Sequence, residues 1–125
     1  MHYVDFLQRA WAFDEIIVIM DSCRSAHPML EISKPALPRI TAHPNSSRVK
    51  RFVGFGAAFT QVARERDFDG TIRGVFSMAL LEALRDAKPN RLGRVTGTIV
   101  KQHVHNGIKK FADNVDPDID AKAEA

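Results

Sequence analysis

Residues Ile16-Ile17-Val18-Ile19-Met20 form a run of five apolar side chains, four of them β-branched, between the acidic pair Asp14-Glu15 and the polar turn Asp21-Ser22-Cys23-Arg24-Ser25. A short β-branched run bounded by polar residues reads as a strand. Because it is apolar at every position instead of alternating, it suits a strand covered on both faces, as in a parallel α/β sheet. Such a strand belongs in the middle of a sheet, and a bare edge beside it invites pairing with other chains. The turn that ends it holds the only cysteine of the protein.

The rest of the chain supplies few strands to surround it. Val4, Leu7 and Trp11, with Phe6 and Ala10, recur at helical spacing and predict a short amphipathic helix over residues 2–12. Residues 27–50 read as a long loop, because four of the six prolines (Pro28, Pro35, Pro38, Pro44) and the turn Asn45-Ser46-Ser47 fall there. A second strand is expected at Arg51 to Ala57, a helical turn at Gln61 to Arg66 and a tight turn at Asp69-Gly70. Val75 to Ala87 predicts the clearest helix, with Val75, Met78, Ala79, Leu80, Leu81 and Leu84 on its buried face, stopped by Pro89-Asn90. A last helix is expected from Thr98 to Phe111, with Val100, Val104, Ile108 and Phe111 in one stripe. Residues 113–125 are acidic and predict a disordered tail, leaving residues 1–112 as a single partial domain.

With 125 residues the chain is one domain at most. A lone cysteine forms no internal disulfide, and the first fifteen residues make neither a signal peptide nor a membrane span, so a cytoplasmic protein without a membrane partner is expected. The net charge of +3 is dispersed apart from Arg48, Lys50 and Arg51, and that cluster lacks the interleaved aromatics of a nucleic-acid footprint. No nucleic-acid partner is expected.

A cysteine is commonly an inert packing residue. Cys23 instead lies just past the carboxyl end of a strand, where α/β proteins place reacting groups, and is flanked by Asp21, Ser22, Arg24 and Ser25. A thiol on a turn beside a cation has the exposure that nucleophilic attack requires. Two other chemistries fail on their key residue. A cysteine phosphatase loop needs arginine six positions after the cysteine, where Met29 stands, and a haloacid-dehalogenase-like loop needs a second aspartate where Cys23 stands.

The stretch "IIVIMDSCRSA" resembles the apolar strand and Asp-x-Cys-x-Ser-Gly motif of the caspase-like cysteine peptidase superfamily, particularly its metacaspase-type and bacterial members. "GVFSMALLEAL" is similar to that family's Gly-x-Phe-Thr/Ser-x-Ala-Leu-Leu-x-Ala-Leu helix, and "GRVTGTIVKQHVHNGIKKF" to its closing helix, so the resemblance covers residues 14–112. It implies the C-terminal part of a catalytic domain, an α/β fold with a mostly parallel sheet flanked by helices whose N-terminal strands are missing here. It also implies Cys23 as the nucleophile, its own N–H in the oxyanion hole, and a polypeptide substrate. Asp21, by the same resemblance, lines the pocket for the side chain ahead of the cleaved bond, where a carboxylate is complementary to Arg or Lys. The alternative role for Asp21 is to cap its own turn. No cofactor is implied, although calcium dependence belongs to metacaspase-type relatives and no acidic loop here places it.

The chain departs from the family at Arg24, where histidine is common, and at Ala26, where glycine is usual. More consequentially, the family's histidine precedes its cysteine by about 50 residues, and only 22 residues precede Cys23. No His-Gly pair occurs, and His2, His27, His43, His103 and His105 all read as solvated. The isolated chain is therefore expected to be inactive or nearly so, with the histidine supplied by a missing N-terminal half in cis or in trans. A basic-specific peptidase would also be able to cut itself at Arg48 to Arg51, where the alternative is an inert, solvent-exposed basic loop. The competing readings are a non-catalytic caspase-like interaction or regulatory module and a thiol sensor using Cys23 alone.

Overall fold

The computed structural model describes residues 2–22 and 37–122. Cys23, Arg24, Ala26, His27 and the first part of the expected loop lie outside the described residues. The elements run α1 (His2–Ala10), β1 (Glu15–Met20), a 3-10 turn (Ser46–Arg48), β2 (Lys50–Phe55), β3 (Glu65–Phe68), β4 (Thr71–Gly74), α2 (Val75–Asp86), α3 (Gly97–Gly107), a 3-10 turn (Ile108–Lys110) and β5 (Asp118–Lys122).

The fold is mixed α/β. Its three-stranded sheet has the order β1-β2-β5. β1 runs parallel to β2, from Glu15 opposite Lys50 to Met20 opposite Phe55. β5 lies antiparallel on the other side of β2, from Arg51 opposite Lys122 to Phe55 opposite Asp118. The described sheet thus pairs one parallel and one antiparallel neighbour, where a mostly parallel sheet was expected.

Alternation along β2 builds two cores. Phe52 packs with Val75, Phe76, Leu80, Val100, Val104, Ile108 and Ile119 beneath α2 and α3. Val53 and Phe55 point to the opposite face and pack with Val4, Ile16 and Val49 beneath α1. Helices therefore flank the sheet on both faces. The strand in the middle is β2, not β1 as the apolar run predicts. Only Ile16 of β1 is buried, and Ile17, Ile19 and Met20 are exposed. No strand among the described residues pairs with the outer edge of β1.

Several expectations need correction. α1 ends at Ala10, because Trp11 adopts a left-handed φ of 48° and stacks on His43 at 4.4 Å. The turn expected at Gln61 to Arg66 is not helical, since Glu65 and Arg66 open β3 of a hairpin with β4. Asp69 and Gly70 form its two-residue loop with φ of 52° and 82°, the positive pair that matches the twist of adjoining strands. On α2 the buried side chains are Val75, Phe76, Ala79, Leu80 and Ala83, while Leu81 and Leu84 face outward. α3 ends at Gly107, short of the expected Phe111, and a 3-10 turn follows. Val100, Val104 and Ile108 of the expected stripe are buried, and Phe111 is half-buried. Thr96 caps α3 by accepting the Ile99 N–H at 3.4 Å.

The acidic tail also departs from expectation, because residues 118–122 form β5. Ile119 enters the core, and the Arg51 guanidinium donates from Nε and Nη2 to Asp120 at 2.9 and 2.5 Å. Long-range partners offset the poor strand propensity of the Asp-rich sequence. Among the described residues, no helix is long and apolar enough to cross a membrane.

Candidate functional site

Asp21 stands at the carboxyl ends of the two parallel strands, where the Gly56 N–H donates to the Met20 carbonyl at 2.9 Å. Its carboxylate reaches the start of α2. Oδ2 accepts hydrogen bonds from the Ser77 N–H at 3.2 Å and the Ser77 hydroxyl at 2.6 Å. Ser77 is the third residue of α2, and Gly74 ahead of the helix has no side chain with which to cap it. Asp21 thus satisfies an orphan N–H of the helix and places negative charge at its positive end.

Two glycines make that reach possible. A Cβ on Gly74 would overlap the Asp21 carboxylate, and a Cβ on Gly56 would overlap its other oxygen and stand 3.3 Å from the Phe76 Cβ. Gly74 has φ −64° and ψ 130°, a conformation open to any residue. Space, not backbone freedom, demands glycine there.

Beside this junction lies an open cleft lined by Asp21, Ser22, Val62, Arg64, Glu65 and Gly74. Glu65 adds a second carboxylate from β3, and Arg64 adds a cation to the rim. The chain continues from Ser22 directly into Cys23, which lies outside the described residues. The cleft is the kind of place, outside the strand ends of an α/β sheet, where such folds hold ligands.

The described histidines lie away from it. The His43 N–H donates to the Arg9 carbonyl, and His43 Nδ1 accepts from the Asn45 N–H at 3.1 Å. Both partners sit near the amino ends of β1 and β2, opposite the cleft. His103 Nε2 lies 3.9 Å from Glu82, more than a helical turn along α2 from Ser77, and Lys110 also pairs with Glu82. His105 lies on the same helix as His103, and His2 starts α1. Among the described residues, no group of three His, Cys, Asp or Glu side chains is placed to hold a metal ion.

The basic cluster is not the uniform exposed loop expected. Lys50 and Arg51 open β2, and Arg51 is held by Asp120, by Gln8 at 3.0 Å and by Asp5 at 3.5 Å. Arg48 remains exposed in its 3-10 turn. At the exposed end of α2, hydrogen bonds from Arg85 hold the Asp86 carboxyl below the usual carboxylate range and raise the Arg85 guanidinium in turn.

Sequence reasoning singled out Asp21 but not Gly74, Ser77 or Glu65. Gly74 and Ser77 stand inside the stretch "GVFSMALLEAL", so the signal for two of them was a glycine and a serine at the threshold of the strongest helix. Glu65 carried no such signal. No protein-family model matches the chain, and neither a curated protein nor a solved structure is significantly similar to it.

Proposed function

We propose that the chain is the C-terminal part of a caspase-like cysteine endopeptidase domain, with Cys23 as nucleophile and cleavage after Arg or Lys. The observation that carries this reading is the position of Asp21. It stands at the parallel strand ends, in a cleft shared with Glu65, and two residues before the only cysteine. Ser77 engages Oδ2, and the carboxylate lines the cleft in which a basic side chain would lie. Two carboxylates beside it favour a cation and oppose an aspartate.

In this reading the Cys23 thiolate attacks the scissile carbonyl and forms a thioester, with its own N–H stabilising the developing oxyanion. The departing amine takes a proton from a histidine that lies upstream of this sequence, in cis or in trans. Water then hydrolyses the thioester. Without the histidine, the chain lacks acid–base assistance typically worth about 10²- to 10⁴-fold.

The test is hydrolysis of fluorogenic peptides ending in Arg, Lys or Asp by the 125-residue chain, by a chain extended upstream along its reading frame, and by Cys23→Ala variants of both. The reading predicts cleavage after Arg and Lys by the extended chain, abolished by Cys23→Ala. Silence from a folded extended chain would overturn it.

A second reading, a non-catalytic caspase-like interaction or regulatory module, is favoured by a different observation. Asp21 already caps α2, and the described histidines lie away from the cleft. In that case the Asp21 carboxylate is structural, and Asp21→Ala lowers stability without any activity to lose.

A further inference from the structure

The β3–β4 hairpin sorts its charges by face. In its ladder Phe68 stands opposite Thr71 and Arg66 opposite Arg73. The Val75 N–H donates to the Arg64 carbonyl at 2.9 Å, which carries the alternation one pair further and sets Arg64 on the face of Arg66. Arg64, Arg66 and Arg73 thus share one face. Glu65 and Asp67 point to the other, where Glu65 lines the cleft beside Asp21.

Like charges directly opposite one another destabilise a hairpin, and the Cβ atoms of such a pair stand about 5 Å apart. Arg64 lies two residues from Arg66, about 7 Å along the strand. All three arginines are exposed, and among the described residues none of them forms an ion pair. Arg66 donates one N–H to the Phe111 carbonyl at 2.9 Å, and Arg73 reaches only the Met78 sulfur at 3.9 Å. Most of their donors are therefore uncommitted. Lys109 adds a further cation in a cleft of about 560 Å³ that it shares with Arg64, Asp113 and Asp116.

We propose that Arg64, Arg66 and Arg73 form a binding site for a terminal phosphate group, borne by a free phosphate ion or by a phosphate monoester. Such a group carries about −1.5 to −2 charges at neutral pH and presents three strong acceptor oxygens. Guanidinium forks match those oxygens in pairs, so the bound group turns an opposed pair of cations into a clamp. A carboxylate brings only one charge to the same cations. A nucleic-acid strand fits poorly, because the cationic face is short and Glu65, Asp67, Asp113 and Asp116 around it repel the next phosphates along a chain. This inference does not depend on whether Cys23 is a nucleophile.

The test compares the 125-residue chain in sodium chloride, sodium acetate, inorganic phosphate and an end-blocked phosphoserine tripeptide, at one low ionic strength and about pH 7.5, where phosphate is largely a dianion. Arginine Nε–H NMR signals and thermal unfolding are followed together. Phosphate should shift the signals of Arg66 and Arg73 saturably. It should also raise the melting temperature by at least about 2 °C at about 20 mM, as a millimolar dissociation constant requires. Chloride and acetate should do neither. The tighter of the two phosphate probes identifies the source, a free ion or a phosphorylated polypeptide. Arg73→Gln in chloride should melt no lower than the unsubstituted chain, because the opposed charge is gone, and should lose the response to phosphate. Arg64→Gln should weaken that response at least about threefold. Arg91→Gln, beyond the far end of α2, should leave it intact. No saturable shift of the arginine signals in the folded chain, equal responses to phosphate and acetate, or an undiminished response in Arg73→Gln would each overturn the proposal.

Discussion

Asp21 and Ser77, 56 residues apart in sequence, are joined by two hydrogen bonds that tie the end of β1 to the first turn of α2. One is a cap on the helix N–H at 3.2 Å, and the other is a hydroxyl contact at 2.6 Å. The segment that leads into Cys23 is thereby anchored to the helix that closes the core. Asp21→Ala is expected to cost about 1 kcal/mol, the usual worth of a helix cap. Ser77→Ala removes only the hydroxyl partner and should cost about 0.5 kcal/mol, at the low end for a hydrogen bond near solvent. Urea unfolding of both variants checks the order.

Gly74→Ala places a methyl group where the Asp21 carboxylate sits. The backbone there accepts alanine, so the cost arises from displaced Asp21, at about 1–3 kcal/mol for overpacking. The double variant Gly74→Ala with Asp21→Ala should therefore be more stable than the sum of the single losses implies. A strictly additive result in denaturant melts would remove the spatial explanation for this glycine.

Arg51 fastens β5 to β2 and reaches α1 through Gln8 and Asp5. Its side chain is 17% exposed, so Arg51→Ala leaves Asp120 without its fork in a partly enclosed place. The expected loss is about 1–3 kcal/mol, discounted from that of a fully buried pair, and Arg51→Lys should restore only part of it. Hydrogen exchange at Ile119 and Ala121 should accelerate more than exchange at Val100 or Val104, which would show β5 releasing first.

Gly70 carries φ 82° in the loop of the β3–β4 hairpin. Gly70→Ala should destabilise by about 1 kcal/mol through backbone strain, whereas Asp69→Asn should be nearly neutral because asparagine tolerates the left-handed region. Thermal melts of the two variants distinguish them.

The helices were legible because α2 and α3 are long enough for a 3.6-residue stripe to stand out, and Val100, Val104 and Ile108 are buried as that stripe predicts. The Asp69-Gly70 turn was legible from its dipeptide, but the strands on either side were not. Glu65–Phe68 and Thr71–Gly74 are largely exposed and lack the apolar alternation that marks a half-buried strand. β5 was hidden for another reason. Its Asp-rich sequence favours a solvated tail, and only contacts with Arg51 and the core around Ile119 make it a strand. Leu81 and Leu84 looked like core by periodicity alone, yet they flank the stripe through Phe76, Ala79, Leu80 and Ala83. At the site, the acid beside the cysteine could be read from one strand and turn. Its dependence on Gly56, Gly74 and Ser77 is a tertiary arrangement, and a glycine and a serine at the start of α2 mark a special position there without naming the partner.

In the proposed peptidase the cleft beside Asp21 presents basic side chains to Cys23. The most direct measurement is the rate at which Cys23 in the purified chain is alkylated by peptide chloromethyl ketones carrying Lys or Asp ahead of the reactive group, followed by intact-mass spectrometry. Labelling by the lysine reagent should be faster, at a single site lost in Cys23→Ala, with the advantage reduced in a folded Asp21→Asn variant. Equal labelling by the two reagents, or a lysine advantage unchanged in Asp21→Asn, would contradict it.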